Sequence, residues 1–248
     1  MPEPLLQLTD VSKRYGSLVV ADGVSLSVGQ GEALGVLGPN GAGKTTLFNL
    51  ITGVAKVDTG QIRFAGEEIA GLKPHLRARR GIARSYQIPK PFVQMSVFEN
   101  LLVGASFAAQ GLSPRERTDH CAEVLERTGL LPKANALAGS LNLLERKRLE
   151  LARALAAKPR LLLLDEIAGG LTEGECHELV AAIQAVRASG VTIVWIEHVL
   201  HALMGVVDRV MVLNFGKVIA SGDPKTVMAD RAVREIYLGI EAVDDALA

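Results

Sequence analysis

The sequence has little cysteine and no excess of charge of either sign. Its two cysteines, Cys121 and Cys176, lie far apart, and neither belongs to a CxxC or Cys/His cluster that could hold zinc. We expect both to be free thiols in a reducing cytosol. Lys and Arg together number 27, as do Asp and Glu together, so no global charge attracts the chain to nucleic acid or anionic lipid.

The sequence also lacks a long uninterrupted apolar run. Residues 191–207 are the stretch most worth testing against a bilayer, but Glu197, His198 and His201 interrupt it, and it is short for a span. Residues 1–16 lack the charged start, apolar stretch and cleavage site of a secretory signal. We therefore expect no transmembrane helix and no export by that route, so that work at a membrane requires docking on another subunit.

One local run of positive charge interrupts the balanced composition. Because no aromatic residues are interleaved there, a solvated basic face is favoured over a nucleic-acid patch. We therefore expect no nucleic-acid partner. The run consists of Lys73, Arg77, Arg79, Arg80 and Arg84.

Apolar residues make up 48% of the chain, and their spacing predicts an α/β fold in one domain, residues 1–248. Alternation near the N-terminus predicts a small antiparallel β region, and short apolar runs predict buried strands of a parallel sheet. Helical periodicity from residue 96 to about 157 predicts an inserted helical lobe, which we place at 88–159. Strands are predicted at 5–11, 24–28, 33–37, 61–64, 161–164 and 191–196, a hairpin at 209–219, and helices at 46–51 and 173–188.

A glycine-rich loop, GPNGAGKT, joins a predicted strand to a predicted helix. Glycines let backbone N–H groups surround phosphates, the helix N-terminus adds positive charge, Lys44 reaches the β and γ phosphates, and Thr45 ligates Mg²⁺. The alternative, a plain glycine-rich turn, is disfavoured by the strand–loop–helix context. The P-loop residues expected at a nucleotide are Gly38, Pro39, Asn40, Gly41, Ala42, Gly43, Lys44, Thr45 and Thr46.

A second motif, LLLLDE, places two acids after an apolar strand. Asp165 can hold Mg²⁺ through water, and Glu166 can orient and polarise an attacking water; an acidic helix cap is the alternative. The sequence contains no Asn-Lys-x-Asp stretch of the kind that a GTPase uses to recognise guanine, which weakens the GTPase alternative. A small-molecule kinase would not need a Glu directly after the Mg²⁺-binding Asp, which weakens that alternative too. Upstream, Tyr15 could stack on adenine, although packing explains a lone tyrosine equally well.

These motifs, in this order, resemble the nucleotide-binding subunits of ABC transporters over nearly the whole chain. SYQIPKPFVQMSVFENLLV resembles the family's Q-loop, which implies that Gln87 ligates Mg²⁺ and senses the γ phosphate. WIEH resembles the switch region, which implies that His198 holds the γ phosphate and the attacking water. The resemblance implies an ATPase that uses ATP and Mg²⁺, with Glu166, His198 and Lys44 as catalytic residues.

Longer runs resemble the branched-chain amino acid importer subfamily: LERKRLELARALAAKPRLLLLDE, IEHVLHALMGVVDRVMVLNFGKVIASGDP and IYLG. This resemblance implies a peripheral subunit at the cytoplasmic face of the membrane, with two permease subunits, a second ATPase chain and, indirectly, a solute-binding protein. Two alternatives stay open. One is the ATPase of a lipid or lipopolysaccharide exporter, and the other is a non-transport ABC ATPase.

The sequence departs from the family at the signature motif, usually Leu-Ser-Gly-Gly-Gln, which completes the ATP site of the opposite chain. Leu144 would add a side chain where glycine permits close approach to that chain's γ phosphate. We therefore predict a heterodimer in which the partner's site mainly binds ATP or turns over slowly; alternatively, Asn142 and the helix start supply enough polar contact. Smaller departures are Ile167 and Thr172. The degenerate signature consists of Leu141, Asn142, Leu143, Leu144 and Glu145.

Overall fold

Two β-sheets organise the chain in the computed structural model, which describes residues 3–108 and 111–238. One sheet has four strands in the order β2-β1-β4-β5, and the other has six in the order β10-β9-β3-β8-β7-β6. The strands are β1 (Leu6–Tyr15), β2 (Leu18–Val28), β3 (Ala33–Leu37), β4 (Thr59–Phe64), β5 (Glu67–Glu68), β6 (Ile82–Arg84), β7 (Leu161–Asp165), β8 (Thr192–Ile196), β9 (Arg209–Asn214) and β10 (Lys217–Gly222).

The helices follow or connect these strands. Helices α3, α4 and α5 pack on one another within residues 88–159, the range of the predicted lobe. None of the helices in the described ranges combines the length and apolar character that a bilayer span requires. The helices are α1 (Lys44–Thr52), α2 (Pro74–Arg79), α3 (Val97–Ala108), α4 (Pro114–Arg127), α5 (Leu143–Ala156), α6 (Glu173–Ala188), α7 (Leu200–Met204), α8 (Pro224–Ala229) and α9 (Arg231–Leu238), with 3₁₀ turns at Leu131–Lys133 and Ala138–Ser140.

The six-stranded sheet confirms the predicted α/β class. Strands β3, β7 and β8 are buried at every residue, which is why each reads as a continuous apolar run instead of an alternating one. They pair in parallel, β8 lying between β3 and β7. Their carboxyl ends, at Leu37, Asp165 and Ile196, therefore meet at one edge of the sheet, where the loops that follow them can form a site.

One apolar core joins the predicted helical lobe to the sheet. Leu101 of α3, Leu125 of α4 and Leu149 of α5 are fully buried in the same cluster as Leu162 and Trp195 of the central strands. The lobe helices therefore do not depend on a separate core. Helix α5 packs against β6 and against β7, the strand that ends at Asp165.

Three departures from the family pattern have local structural roles. Asn142 caps α5, and Thr172 caps α6; each forms a reciprocal capping box, with Glu145 and Glu175 respectively. Ile167 is fully buried in the main core. These residues therefore serve the fold, whatever else they do in an assembly.

The guanidinium of Arg77 supplies the donors that the end of α1 needs. It donates to the carbonyl oxygens of Leu50 at 2.6 Å, Ile51 at 2.9 Å, Ala70 at 2.8 Å and Leu72 at 3.0 Å. Arg77 is only 2% exposed. The prediction that Arg77 lies on a solvated basic face is therefore wrong. Arg77 is buried because the last carbonyl groups of a buried helix end need a hydrogen-bond donor from the protein.

We expect Arg77→Met to lower the free energy of unfolding by about 3 kcal/mol, because buried carbonyls lose their donor. Arg79→Met is the matched control. Arg79 is exposed and contacts the Phe107 ring, and its loss should cost less than about 1 kcal/mol. Urea denaturation measures both variants, and equal losses would contradict this role of Arg77.

Candidate functional site

The loop between β3 and α1 is enclosed by backbone from two other segments. Gly38 has φ +151° and Gly43 has φ +102°. A Cβ atom at Gly38 would lie 2.2 Å from the carbonyl oxygen of Leu213, and one at Gly43 would lie 2.3 Å from that of Val20. Only glycine fits at these two positions, so the loop is held in one shape by β2 and β9.

The side chain of Lys44 lies inside this loop. Its Nζ donates to the carbonyl oxygens of Gly38 at 2.6 Å and Pro39 at 3.0 Å, and the residue is 6% exposed. Burial lowers the pKa of Lys44, while the negative charges of Glu166 and Asp165 oppose that shift. The loop therefore carries a fixed positive charge at the start of a helix, an arrangement suited to an anionic ligand.

Two predicted residues from distant parts of the chain meet at Glu166. Its two carboxylate oxygens are both occupied: Nε2 of Gln87 donates to Oε2 at 2.6 Å, and Nε2 of His198 lies 2.8 Å from Oε1. The Glu166 backbone has φ +46°, and its N–H donates to Ile196 at 2.8 Å. This left-handed turn, which costs a non-glycine residue about 1–3 kcal/mol, lets Glu166 face His198.

The neighbouring Asp165 bonds instead to Arg84, a residue that our sequence reasoning placed on a solvated basic face. Nη2 of Arg84 donates to Oδ2 of Asp165 at 2.5 Å, and Nη1 donates to Oδ1 of Asn49 at 2.7 Å. The Arg84 and Asp165 side chains are 6% and 8% exposed. The basic-face interpretation is therefore wrong at Arg84, because the pairing of β6 with β7 brings Arg84 to Asp165 across 81 residues of sequence.

A cavity of about 420 Å³ lies beside these groups, and its lining includes Thr45, Gln87 and Asp165. These side chains bring a hydroxyl, an amide and a carboxylate oxygen to one space, and such oxygen donors are the ligands that Mg²⁺ prefers. The residues present therefore fit a magnesium ion bound with a nucleotide. Tyr15 lies at the end of β1 and is 51% exposed, with the Lys13 ammonium 5.3 Å from its ring centre.

At the start of α5, Leu143 reaches the surface, whereas the sequence led us to expect Leu144 there. Leu144 is 8% exposed and packs in the main core, whereas Leu143 is 45% exposed. The expectation that Leu144 obstructs a neighbouring site is therefore wrong, and Leu143 is the side chain that projects. Oδ1 of Asn142 accepts from the N–H of Glu145 at 2.8 Å, so one N–H of the helix start is already bonded.

The P-loop that opens α1, the acidic pair that ends β7 and the parallel sheet between them define a P-loop nucleoside triphosphatase. The family described as ABC transporter matches residues 21–169, more than half of the chain, and the chain belongs to that family as an ATP-binding, ATP-hydrolysing subunit. A second family, described as branched-chain amino acid ATP-binding cassette transporter, matches residues 217–243, of which residues up to 238 lie within the described structure.

Relatives and solved structures agree with this assignment over nearly the full length. The high-affinity branched-chain amino acid transport ATP-binding protein BraF of Pseudomonas aeruginosa is 38% identical, covering 96% of this chain and 99% of its own. The lipopolysaccharide export system ATP-binding protein LptB of Acidithiobacillus ferridurans is also 38% identical, covering 95% and 97%. A nucleotide-free ATP-binding cassette from an ABC transporter superposes with TM-score 0.86 at 32% identity, covering 96% of this chain and 100% of its own.

Two of the three glycines of the P-loop give a matched pair of substitutions. Gly41 and Gly43 both have positive φ, but a Cβ atom at Gly41 meets nothing within 4 Å. In the nucleotide-free protein we expect Gly43→Ala to cost about 2 kcal/mol more unfolding free energy than Gly41→Ala, because it adds overpacking against Val20 to the same backbone strain. Urea denaturation tests this, and a loss no greater at Gly43 would refute the steric argument.

Proposed function

We propose that this chain hydrolyses ATP to power an importer of branched-chain or related amino acids. The observation that carries the substrate class is the match of residues 217–243 to the branched-chain amino acid family, together with full-length similarity to BraF. LptB is equally identical, so an exporter ATPase is the competing candidate. The C-terminal match favours the amino acid importer.

The P-loop geometry supports the roles predicted for its residues. We infer that its N–H groups and Lys44 bind the ATP phosphates, that Tyr15 stacks on the adenine, and that Mg²⁺ is held by Thr45, Gln87 and Asp165. When bound, the ion would neutralise charge that develops on the phosphates. Residues of the loop that complete the nucleotide contacts are Gly38, Pro39, Asn40, Gly41, Ala42, Gly43 and Thr46.

Glu166 is proposed as the base that orients the attacking water and accepts its proton. In this structure Gln87 and His198 occupy both of its carboxylate oxygens. An ionised carboxylate has about four lone-pair sites, so Glu166 can accept from a water while both contacts hold its side chain in place. We infer that nucleotide binding draws Gln87 or His198 towards the γ phosphate.

A second cavity supports docking on membrane subunits. It has a volume of about 320 Å³ and lies between α2, β6 and the lobe helices α3 and α5. Exposed apolar side chains line it, including Tyr86, Phe92, Val103 and Phe107. We propose that each of two permeases places a loop in the groove of one ATPase chain, which holds this chain at the cytoplasmic face of the membrane and links it indirectly to a solute-binding protein.

Uptake in cells tests the proposed function. In a strain that lacks this gene, the wild-type chain should restore uptake of labelled leucine and co-purify with two permeases. Glu166→Gln should still bind ATP but lower turnover about a hundredfold or more, the scale of a lost general base, and should not restore uptake. Glu173→Gln, exposed in the first turn of α6, is the control. Rescue of lipopolysaccharide export instead of uptake would exclude the importer.

The projecting side chain of Leu143 supports the asymmetric heterodimer. In the assembled transporter we expect Glu166→Gln to remove most ATP hydrolysis, whereas the matching Glu→Gln change in the partner chain should leave most of it. The reason is that the partner completes the Glu166 site with an intact signature, while Leu143 obstructs close approach at the other site. Steady-state phosphate release measures this. Most activity surviving in Glu166→Gln would show that the asymmetry is wrong.

A further inference from the structure

A buried lysine outside the known motifs binds the Q-loop main chain. Lys147 is the fifth residue of α5 and is 4% exposed. Its Nζ donates to the backbone carbonyl oxygen of Gln87 at 2.7 Å, across 60 residues of sequence. The bond therefore connects the helix that carries the degenerate signature to the segment that carries Gln87.

The surroundings of Lys147 are acidic and belong to the hydrolysis site. Burial lowers the pKa of Lys147, and the carboxylates of Glu197, Glu166 and Glu150 oppose that shift. Glu197 is 1% exposed and accepts from the N–H groups of Ala168 and His198. The buried ammonium is thus compensated by the acids around Glu166, and removing it alters the site more than it alters the remote core.

The carbonyl that Lys147 holds is only a few bonds from the amide that contacts Glu166. Nε2 of Gln87 donates to Oε2 of Glu166 at 2.6 Å. A hydrogen bond of this length is lost when its donor moves by about 1 Å, because the interaction weakens beyond roughly 3.5 Å. The position of the Gln87 main chain therefore decides whether its side chain reaches Glu166.

We propose that Lys147 is a positioning residue that makes Gln87 and Glu166 respond to the first turn of α5. Leu143 and Lys147 are four residues apart on one rigid helix, which is about 6 Å of rise. A shift of Leu143 therefore moves Lys147, then the Gln87 carbonyl, and then the amide at Glu166. The inference rests on the proposed function, in which the start of α5 faces the nucleotide of the partner chain.

Lys147→Met removes the ammonium and keeps the length of the side chain. We expect the assembled transporter carrying it to lose at least about tenfold in kcat, a scale consistent with small displacements in active sites, with an ATP Kd within about twofold of wild type. In the isolated chain, the ¹⁵N-detected side-chain amide signals of Gln87, assigned by their loss in Gln87→Glu, should move towards those of a solvent-exposed amide. Lys147→Arg, which keeps a donor, should restore both readouts in large part.

Arg148→Met is the matched control, because Arg148 is adjacent on α5 but pairs with Glu178 of α6. It should leave kcat and the Gln87 amide unchanged. If Lys147→Met does not fold, Lys147→Gln is expected to give the same two changes, because its side chain is one bond shorter and its amide does not reach the Gln87 carbonyl. Unmoved Gln87 amide signals in a folded variant, or wild-type kcat, would overturn the proposal. If the Gln87 amide signals move in Lys147→Met but the wild-type chain shows no ATPase activity, the result contradicts the proposed function and not the role of Lys147.

Discussion

The structure depends on the parallel pairing of β3, β8 and β7, which brings three carboxyl ends to one edge of a fully buried sheet. The P-loop leaves from Leu37, the acidic pair ends β7, and His198 follows β8. Because these strands are buried at every residue, a shift in register would expose apolar side chains and move a polar one into the core. The alignment of the site is therefore maintained by the same burial that stabilises the sheet.

Buried charges at this edge are each compensated by a named partner. Lys44 bonds to loop carbonyls, Asp165 to Arg84, and Lys147 to the Gln87 carbonyl. A buried charge without such a partner is expensive, whereas a paired one holds its neighbours in place. These bonds hold the charged side chains of the site in place.

The helical lobe and the sheet share one apolar core, so the lobe helices pack directly against the strands that carry the site. The groove beside α3 and the nucleotide cavity are also lined by some of the same residues, Arg84, Tyr86, Glu150 and Arg153. A protein that docks in the groove would contact side chains that face both spaces. This shared wall connects the groove physically to the cavity beside Asp165.

The sequence by itself determined the α/β class, the P-loop and the acidic pair, because apolar period, glycine spacing and strand ends are local features. That Gln87 and His198 belong to the same site as Glu166 could be expected only through family resemblance, since these residues are far apart in the chain. Only the tertiary structure decided that Arg77 and Arg84 are buried, that Leu143 projects instead of Leu144, and that Lys147 holds Gln87. Which way a side chain faces depends on helix phase and packing partners, and composition alone does not specify either.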